Sequence, residues 1–216
     1  MPRPWVPDHH RLAAKAQGFA SRAVFKLKAI DEKYGLFKPG QRVLDLGCSP
    51  GSWLQYIGSR VGQKGLAVGV DLNPPEIEMG HPLYFLPGDV SSIDFDLIRT
   101  LSRDFDVVVS DMAPKTTGIR QLDQQRSLEL AQEAFNCARE LLKPGGHFLV
   151  KIFAGPETEA FINTLRFSFD QVQRLKPAGS RPASPEMYVL GLKKRAGPGQ
   201  GKRRRPPDIT NLKEKS

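Results

Sequence analysis

What the sequence lacks narrows it first. Its 216 residues hold only two cysteines, Cys48 and Cys137, far apart in the chain, so no disulfide scaffold is available. No apolar run approaches the ~18 residues that a membrane span needs, and residues 1–10 (MPRPWVPDHH) have no apolar stretch of the kind that drives secretion. These absences predict a reduced, cytoplasmic protein with no membrane partner. The four histidines, His9, His10, His81 and His147, show no metal-ligating spacing, which predicts no metal centre. Neither cysteine sits where a base-attacking nucleophile would: Cys48 lies in a glycine turn and Cys137 inside a long helical segment, so both read as packing. There is no internal repeat.

Acidic residues are also in short supply overall: 32 Lys/Arg against 23 Asp/Glu leave a net charge of +9, which points to a polyanionic partner. The excess is uneven. Residues 1–42 carry nine basic and three acidic side chains, and residues 193–216 carry nine and two, whereas 43–192 carry fourteen and eighteen. Two basic ends therefore flank an acidic middle.

The middle alternates between strand and helix patterns, as a parallel α/β protein does. Strands are predicted at 42–46, 65–70, 83–86, 105–110 and 146–153, apolar enough to be buried on both faces. A helix over about 122–142 (Leu128, Ala131, Phe135, Ala138, Leu142) stops at Lys143-Pro144-Gly145-Gly146. A helix near 157–167 and strands at about 171–175 and 187–192 complete the pattern. The chain thus divides into three segments: a basic lead (1–19), an α/β domain (20–192) and a basic tail (193–216) whose Gly, Pro and Arg content predicts disorder. Within 20–34 a helix places Ala23, Leu27, Ile30 and Tyr34 on one face. Lys26 falls about 60° from Ala23, with Arg22 and Lys33 beside it in a basic stripe.

Strand 42–46 leads into Asp45-Leu46-Gly47-Cys48-Ser49-Pro50-Gly51-Ser52-Trp53, read as a glycine turn opening a helix. Glycines allow close backbone approach, and a helix N-terminus offers free N–H groups to an anion. The dinucleotide pattern G-x-G-x-x-G is absent, and Pro50 removes a donor, so a ligand carboxylate fits better than a pyrophosphate. Asp71 ends the second strand twenty residues after Gly51, where an acid reaches ribose hydroxyls. Asp89 follows the third strand and could accept from an exocyclic amine, or simply cap a turn. Acids at these strand ends converge on one nucleoside-like ligand.

Asp111, in Ser110-Asp111-Met112-Ala113-Pro114, follows another apolar strand. Lys151 lies inside Phe148-Leu149-Val150-Lys151-Ile152-Phe153, where a lysine without a partner or task is rarely tolerated. Ser184-Pro185-Glu186-Met187-Tyr188 puts an acid at the head of the last strand. With Ser21-Arg22-Ala23-Val24-Phe25-Lys26-Leu27, these segments resemble the FtsJ/RlmE family of S-adenosylmethionine-dependent RNA ribose 2′-O-methyltransferases, from about Ala16 to Leu192.

The resemblance implies a Rossmann-like fold, with a seven-stranded, mostly parallel sheet whose last strand is antiparallel and helices on both faces. It implies a catalytic tetrad of Lys26, Asp111, Lys151 and Glu186, and S-adenosyl-L-methionine held by Gly51, Trp53, Asp71, Asp89 and Asp111. It also implies an RNA substrate: a uridine in the A-loop of large-subunit (23S) rRNA within the 50S subunit, or, as in relatives, tRNA. The chain departs from the bacterial pattern at Ser52, where Gly is usual, and at Lys115, where Asn is usual. Lys151 is the expected general base; alternatively, both lysines orient and stabilise the hydroxyl. Arg22, Lys33 and Arg181 are the candidate RNA contacts, on a protein expected to be a monomer.

Other readings fit less of the chain. A dinucleotide oxidoreductase needs a third glycine and a hydride-transfer site. Asn73-Pro74-Pro75 is like an amino-methyltransferase signature but follows the second strand and precedes Glu76 rather than an aromatic residue. A small-molecule methyltransferase leaves the tetrad and basic ends unexplained. A non-catalytic RNA-binding or ribosome-assembly factor has no need of all four tetrad residues.

Overall fold

The computed structural model describes residues 9–176 and 184–196. Among these, six helices and seven strands run in the order α1 (His9–Ala16), α2 (Val24–Tyr34), β1 (Arg42–Leu46), α3 (Ser52–Val61), β2 (Leu66–Asp71), β3 (Leu83–Pro87), α4 (Phe95–Arg99), β4 (Phe105–Ser110), α5 (Arg120–Leu141), β5 (Leu142–Phe153), α6 (Thr158–Ser168), β6 (Phe169–Leu175) and β7 (Glu186–Lys194). One sheet holds all seven strands in the order β3-β2-β1-β4-β5-β7-β6. The pairings from β3 through to β5 are parallel, and β7 runs antiparallel between β5 and β6. This is the expected mixed α/β sheet.

Each central strand buries both faces, which is why its sequence is apolar throughout. On one side Leu44, Leu46, Phe148 and Val150 pack with Phe135, Phe161 and Leu165. On the other, Val43, Val109 and Leu149 pack with Leu27, Trp53, Leu54 and Tyr188. Each fully buried side chain of this size contributes about 1.5–3 kcal/mol. The strand order reverses between β1 and β4, and the crevice past the carboxyl ends of those strands is where an open sheet of this kind binds ligands.

The structure moves several boundaries. The helix bearing Lys26 begins at Val24 rather than Ala20, because Ala20 N donates to Gln55 Oε1 (2.9 Å) and Ser21 Oγ bonds Ser52 Oγ (2.7 Å), which holds residues 20–23 against α3. Val24, Leu27, Ile30 and Asp31 are its buried residues, and Ala23 and Tyr34 pack partly buried against the same core. Gly35, at φ 61°, ends this helix with its N–H on Asp31 O. Part of the basic lead is helical, as α1, and a short α4 precedes β4. At the other end β7 continues to Lys194, two residues beyond the expected domain limit. Lys194 Nζ reaches the carbonyls of Ala138 (3.2 Å), Arg139 (2.5 Å) and Leu142 (2.7 Å), neutralising the C-terminal end of α5. Arg181, between β6 and β7 in the chain, and residues 197–216 of the basic tail lie outside the described residues.

Candidate active site

The turn after β1 brings backbone to the crevice. Gly47 N and Cys48 N donate to Val70 O at 2.8 and 3.2 Å, which folds the turn over the end of β2. Gly47, at φ 76°, has no room for a side chain because Met112, beside Asp111, fills that space. Gly51, at φ 112°, is the N-cap of α3, and a Cβ there would lie 2.9 Å from Ile77 Cγ2. No side chain caps α3, so its first N–H groups remain open to a ligand anion.

Asp71 stands at the end of β2 as expected. Its Oδ2 accepts from Ser49 N (3.0 Å) and its Oδ1 from Asn73 N (2.9 Å), so it also fixes the glycine turn. Asp89 is exposed, and its Oδ1 accepts from Ser91 N (2.9 Å) and Ser91 Oγ (2.8 Å), which hold its carboxyl below the usual carboxylate range. The turn-capping role is therefore real, whatever else Asp89 contacts. Trp53 is 3% exposed, with Nε1 donating to Ala23 O (3.0 Å) and its ring stacked on Tyr188 at 5.9 Å. Its side chain joins α3 to α2 and β7. Ser52, the residue that departs from the family pattern, is buried on Ser21 and completes the same joint.

The sheet gathers the four tetrad residues into two ion pairs. Lys26, from α2, donates to Glu186 Oε1 at 2.5 Å, across 160 residues of sequence. Lys151, two residues before the carboxyl end of β5, lies 3.0 Å from Asp111 Oδ1, and its Nζ also donates to the Asp111 carbonyl. The Lys151 side chain is 7% exposed. The register that pairs Phe153 with Glu186 also pairs Lys151 with Tyr188. Tyr188 is fully buried and donates its hydroxyl to Asp111 Oδ1 at 2.6 Å. Burial first, then the Asp111 and Glu186 charges, push the Tyr188 phenol well above its usual range, so it remains a donor.

Other groups support this arrangement from behind. Buried Asp31 on α2 accepts from Phe37 N (3.0 Å), Tyr56 Oη (2.8 Å) and Arg60 Nε (3.0 Å), which locks the helix bearing Lys26 onto α3. On α5, Ser127 Oγ accepts from Phe153 N (2.9 Å) and Gln124 Nε2 donates to Ala154 O, which fixes the end of the strand bearing Lys151. Beyond Glu186, a cavity of about 560 Å³ is lined by Thr116, Arg120, Gln124, Phe153 and Ser184, a neighbouring space on the α5 side of the tetrad. Lys33 is exposed on α2, with its ammonium 5.3 Å from the Tyr34 ring centroid, and Arg22 lies in the turn before the helix. The exposed Lys115 follows the Asp111 loop.

Three groups had no assigned role in the sequence reading: Tyr188, Asp31 and Asp45. Asp45 is 1% exposed in β1, and neither of its carboxyl oxygens has a hydrogen-bond partner. Burial, then the charges of Asp111 and Asp71, push its carboxyl well above the usual range. The signal for it was present, since an acid within Val43-Leu44-Asp45-Leu46 is as anomalous as the lysine in β5.

Comparison with known proteins identifies a family and a fold. Residues 19–194 match the FtsJ-like methyltransferase family. The ribosomal RNA large subunit methyltransferase E of Bdellovibrio bacteriovorus is 43% identical over 191 residues, covering 87% of this chain and 97% of the relative. The protein of the same name from Syntrophobacter fumaroxidans is 45% identical over 193 residues, with 88% and 97% coverage. A Plasmodium falciparum crystal structure, described as a ribosomal RNA methyltransferase, superimposes with a TM-score of 0.71 at 28% identity and covers 82% of this chain and 98% of its own.

Proposed function

Since the chain belongs to the FtsJ-like methyltransferase family, we propose that it transfers a methyl group from S-adenosyl-L-methionine to a ribose 2′-hydroxyl of large-subunit ribosomal RNA, with the uridine of the A-loop in the 50S subunit as target. The observation that carries the chemistry is the pair of lysine–carboxylate contacts at the carboxyl ends of the strands. The relatives' names support the ribosomal substrate over tRNA.

The residues present fit the cofactor. Two glycines whose side-chain positions are blocked, an open helix N-terminus and a crevice of acidic groups suit a ligand with a carboxylate, a ribose and cationic centres. Gly51 and the first turn of α3 would hold the carboxylate, Asp71 the ribose and Asp89 the base. Asp111 would lie near the reacting methyl. When bound, this cofactor supplies an already activated methyl on a positive sulfur.

The protein must then align a ribose oxygen and remove its proton. Lys151 is built for that task. Its contacts with the Asp111 carboxylate and carbonyl hold the Nζ in a fixed place, from which it would take the 2′-hydroxyl proton. Lys151 would pass the 2′-hydroxyl proton to solvent as the ribose oxygen accepts the methyl group that the bound donor supplies. Lys26, held by Glu186, stabilises the charge developing on the oxygen. Cations on α2 and in the turn before it (Arg22, Lys28, Lys33) would track phosphates, so RNA affinity should fall as salt rises.

Methyl transfer from labelled S-adenosylmethionine, measured with free rRNA, tRNA and large subunits, tests the reading. Incorporation into large-subunit RNA at a ribose, lost in Lys151→Ala while cofactor binding persists, is the expected result. Absence of incorporation into all three would overturn the enzymatic reading in favour of a binding factor.

A further inference from the structure

Asp45 is the buried acid that the proposed mechanism does not use. It sits one residue before the end of β1, paired in register with Gly69 of β2 on one side and Val109 of β4 on the other. Neither neighbour offers it a polar side chain. Both carboxyl oxygens are sealed from solvent without a donor, the only such side-chain atoms among the described residues.

Three titratable groups face it. Asp71 comes from the end of β2 and Asp111 from the loop after β4; Cys48, in the glycine turn, feels the Asp45 charge. Asp71 and Asp111 already have donors of their own, the Ser49 and Asn73 amides for one and Lys151 and Tyr188 for the other. Burial and the acids around it push the Cys48 thiol up, so it stays neutral. An ionised Asp45 would add a third negative charge with no donor to offset it, which a buried carboxyl avoids by keeping its proton.

We propose that Asp45 senses the charge of the ligand in this crevice: it is protonated in the free protein, ionises when a cationic ligand enters, and regains a proton when that ligand becomes neutral. The inference rests on the crevice binding S-adenosylmethionine. The methyl donor brings a sulfonium centre, which an ionised Asp45 would help to balance. After transfer the bonding electrons remain on sulfur, the positive charge is gone, and three carboxylates would again face one another. Uptake of a solvent proton by Asp45 restores the balance. The residue therefore raises affinity for the donor relative to the spent product, with one proton released on binding and one recovered after turnover.

Linkage fixes the sign. Binding that releases a proton strengthens as pH rises, by up to about tenfold per pH unit below the point where Asp45 titrates. Calorimetric titration of S-adenosylmethionine at about pH 6.5, where the ligand amino group stays protonated, in two buffers of different ionisation enthalpy counts the protons. The wild-type protein should release about one more proton than Asp45→Asn, and less with S-adenosylhomocysteine. Equal counts for wild type and variant would overturn the proposal.

Infrared spectroscopy of the wild-type protein provides a reading that does not depend on the variant folding. A carboxylic-acid carbonyl band should be present in the free protein at neutral pH and should disappear on donor binding. A free protein without that band overturns the role of Asp45. If donor binding is absent altogether while the band is present, the cofactor assignment fails and the protonated Asp45 stands.

Discussion

The two lysine–carboxylate pairs of the site have the same chemistry but are held in different ways. Lys151 grows from a central strand with pairing strands on both sides, and it touches Asp111 through both carboxylate and carbonyl while Tyr188 holds the same carboxylate. Lys26 grows from a helix outside the sheet and touches Glu186 once. Its position depends on a chain of secondary contacts: Asp31 with Tyr56 and Arg60, Trp53 with Ala23, and Ser21 with Ser52. One pair is placed by the backbone of the sheet and the other by docking, so the first should tolerate less chemical change and the second less mechanical change.

The sharpest way to break that contrast is Lys151→Ala, which should lower the rate at saturation by about 10²–10⁴-fold, the usual worth of a general base. Cofactor affinity, read by calorimetry, should move little. Replacing each lysine by arginine separates their roles further. Lys151→Arg should be nearly as damaging as alanine, because a guanidinium does not give up its proton near neutral pH. Lys26→Arg should keep a substantial part of the rate, since a fixed positive charge is all that position requires. Equal losses in the two arginine variants would erase the distinction.

Smaller effects test the docking. Asp31→Asn weakens the bonds from Tyr56 and Arg60 and should cost about 1–3 kcal/mol in denaturant stability, with the rate at saturation falling more than cofactor affinity. Trp53→Phe removes one hydrogen bond to Ala23 and should cost about 1 kcal/mol while leaving the stacked ring on Tyr188. A Trp53→Phe protein whose RNA rate is unchanged but whose cofactor affinity collapses would place this side chain with the cofactor after all.

Much of this was legible in the sequence because strands buried on both faces leave a plain apolar signature, against which Asp111 and Lys151 stand out. The glycine turn and Asp71 were legible from spacing. Less visible was anything that depends on which residues meet after folding. The start of α2 is set by Ser21 and Ala20 bonding to side chains of α3, thirty-one and thirty-five residues away. Tyr188 looked like one more apolar strand residue until pairing set it opposite Lys151. Lys193 and Lys194 read as the start of a basic tail because they share the composition of residues 195–216. The carbonyls that draw Lys194 into the fold belong to α5 and the first residue of β5, more than fifty residues earlier.

The placement of β7 has a consequence for the order in which the site comes into being. The last strand of the sheet to be synthesised is inserted between β5 and β6, and β6 pairs with no other strand. A nascent chain emerging from N to C terminus can thus lay down β1 to β5, with the glycine turn, Asp71, Asp111 and Lys151, before Glu186 and Tyr188 exist. The crevice proposed for the methyl donor can form before the constellation proposed to act on RNA, so the growing polypeptide could become a ligand-binding body first and gain its last site residues only when its final strand is delivered.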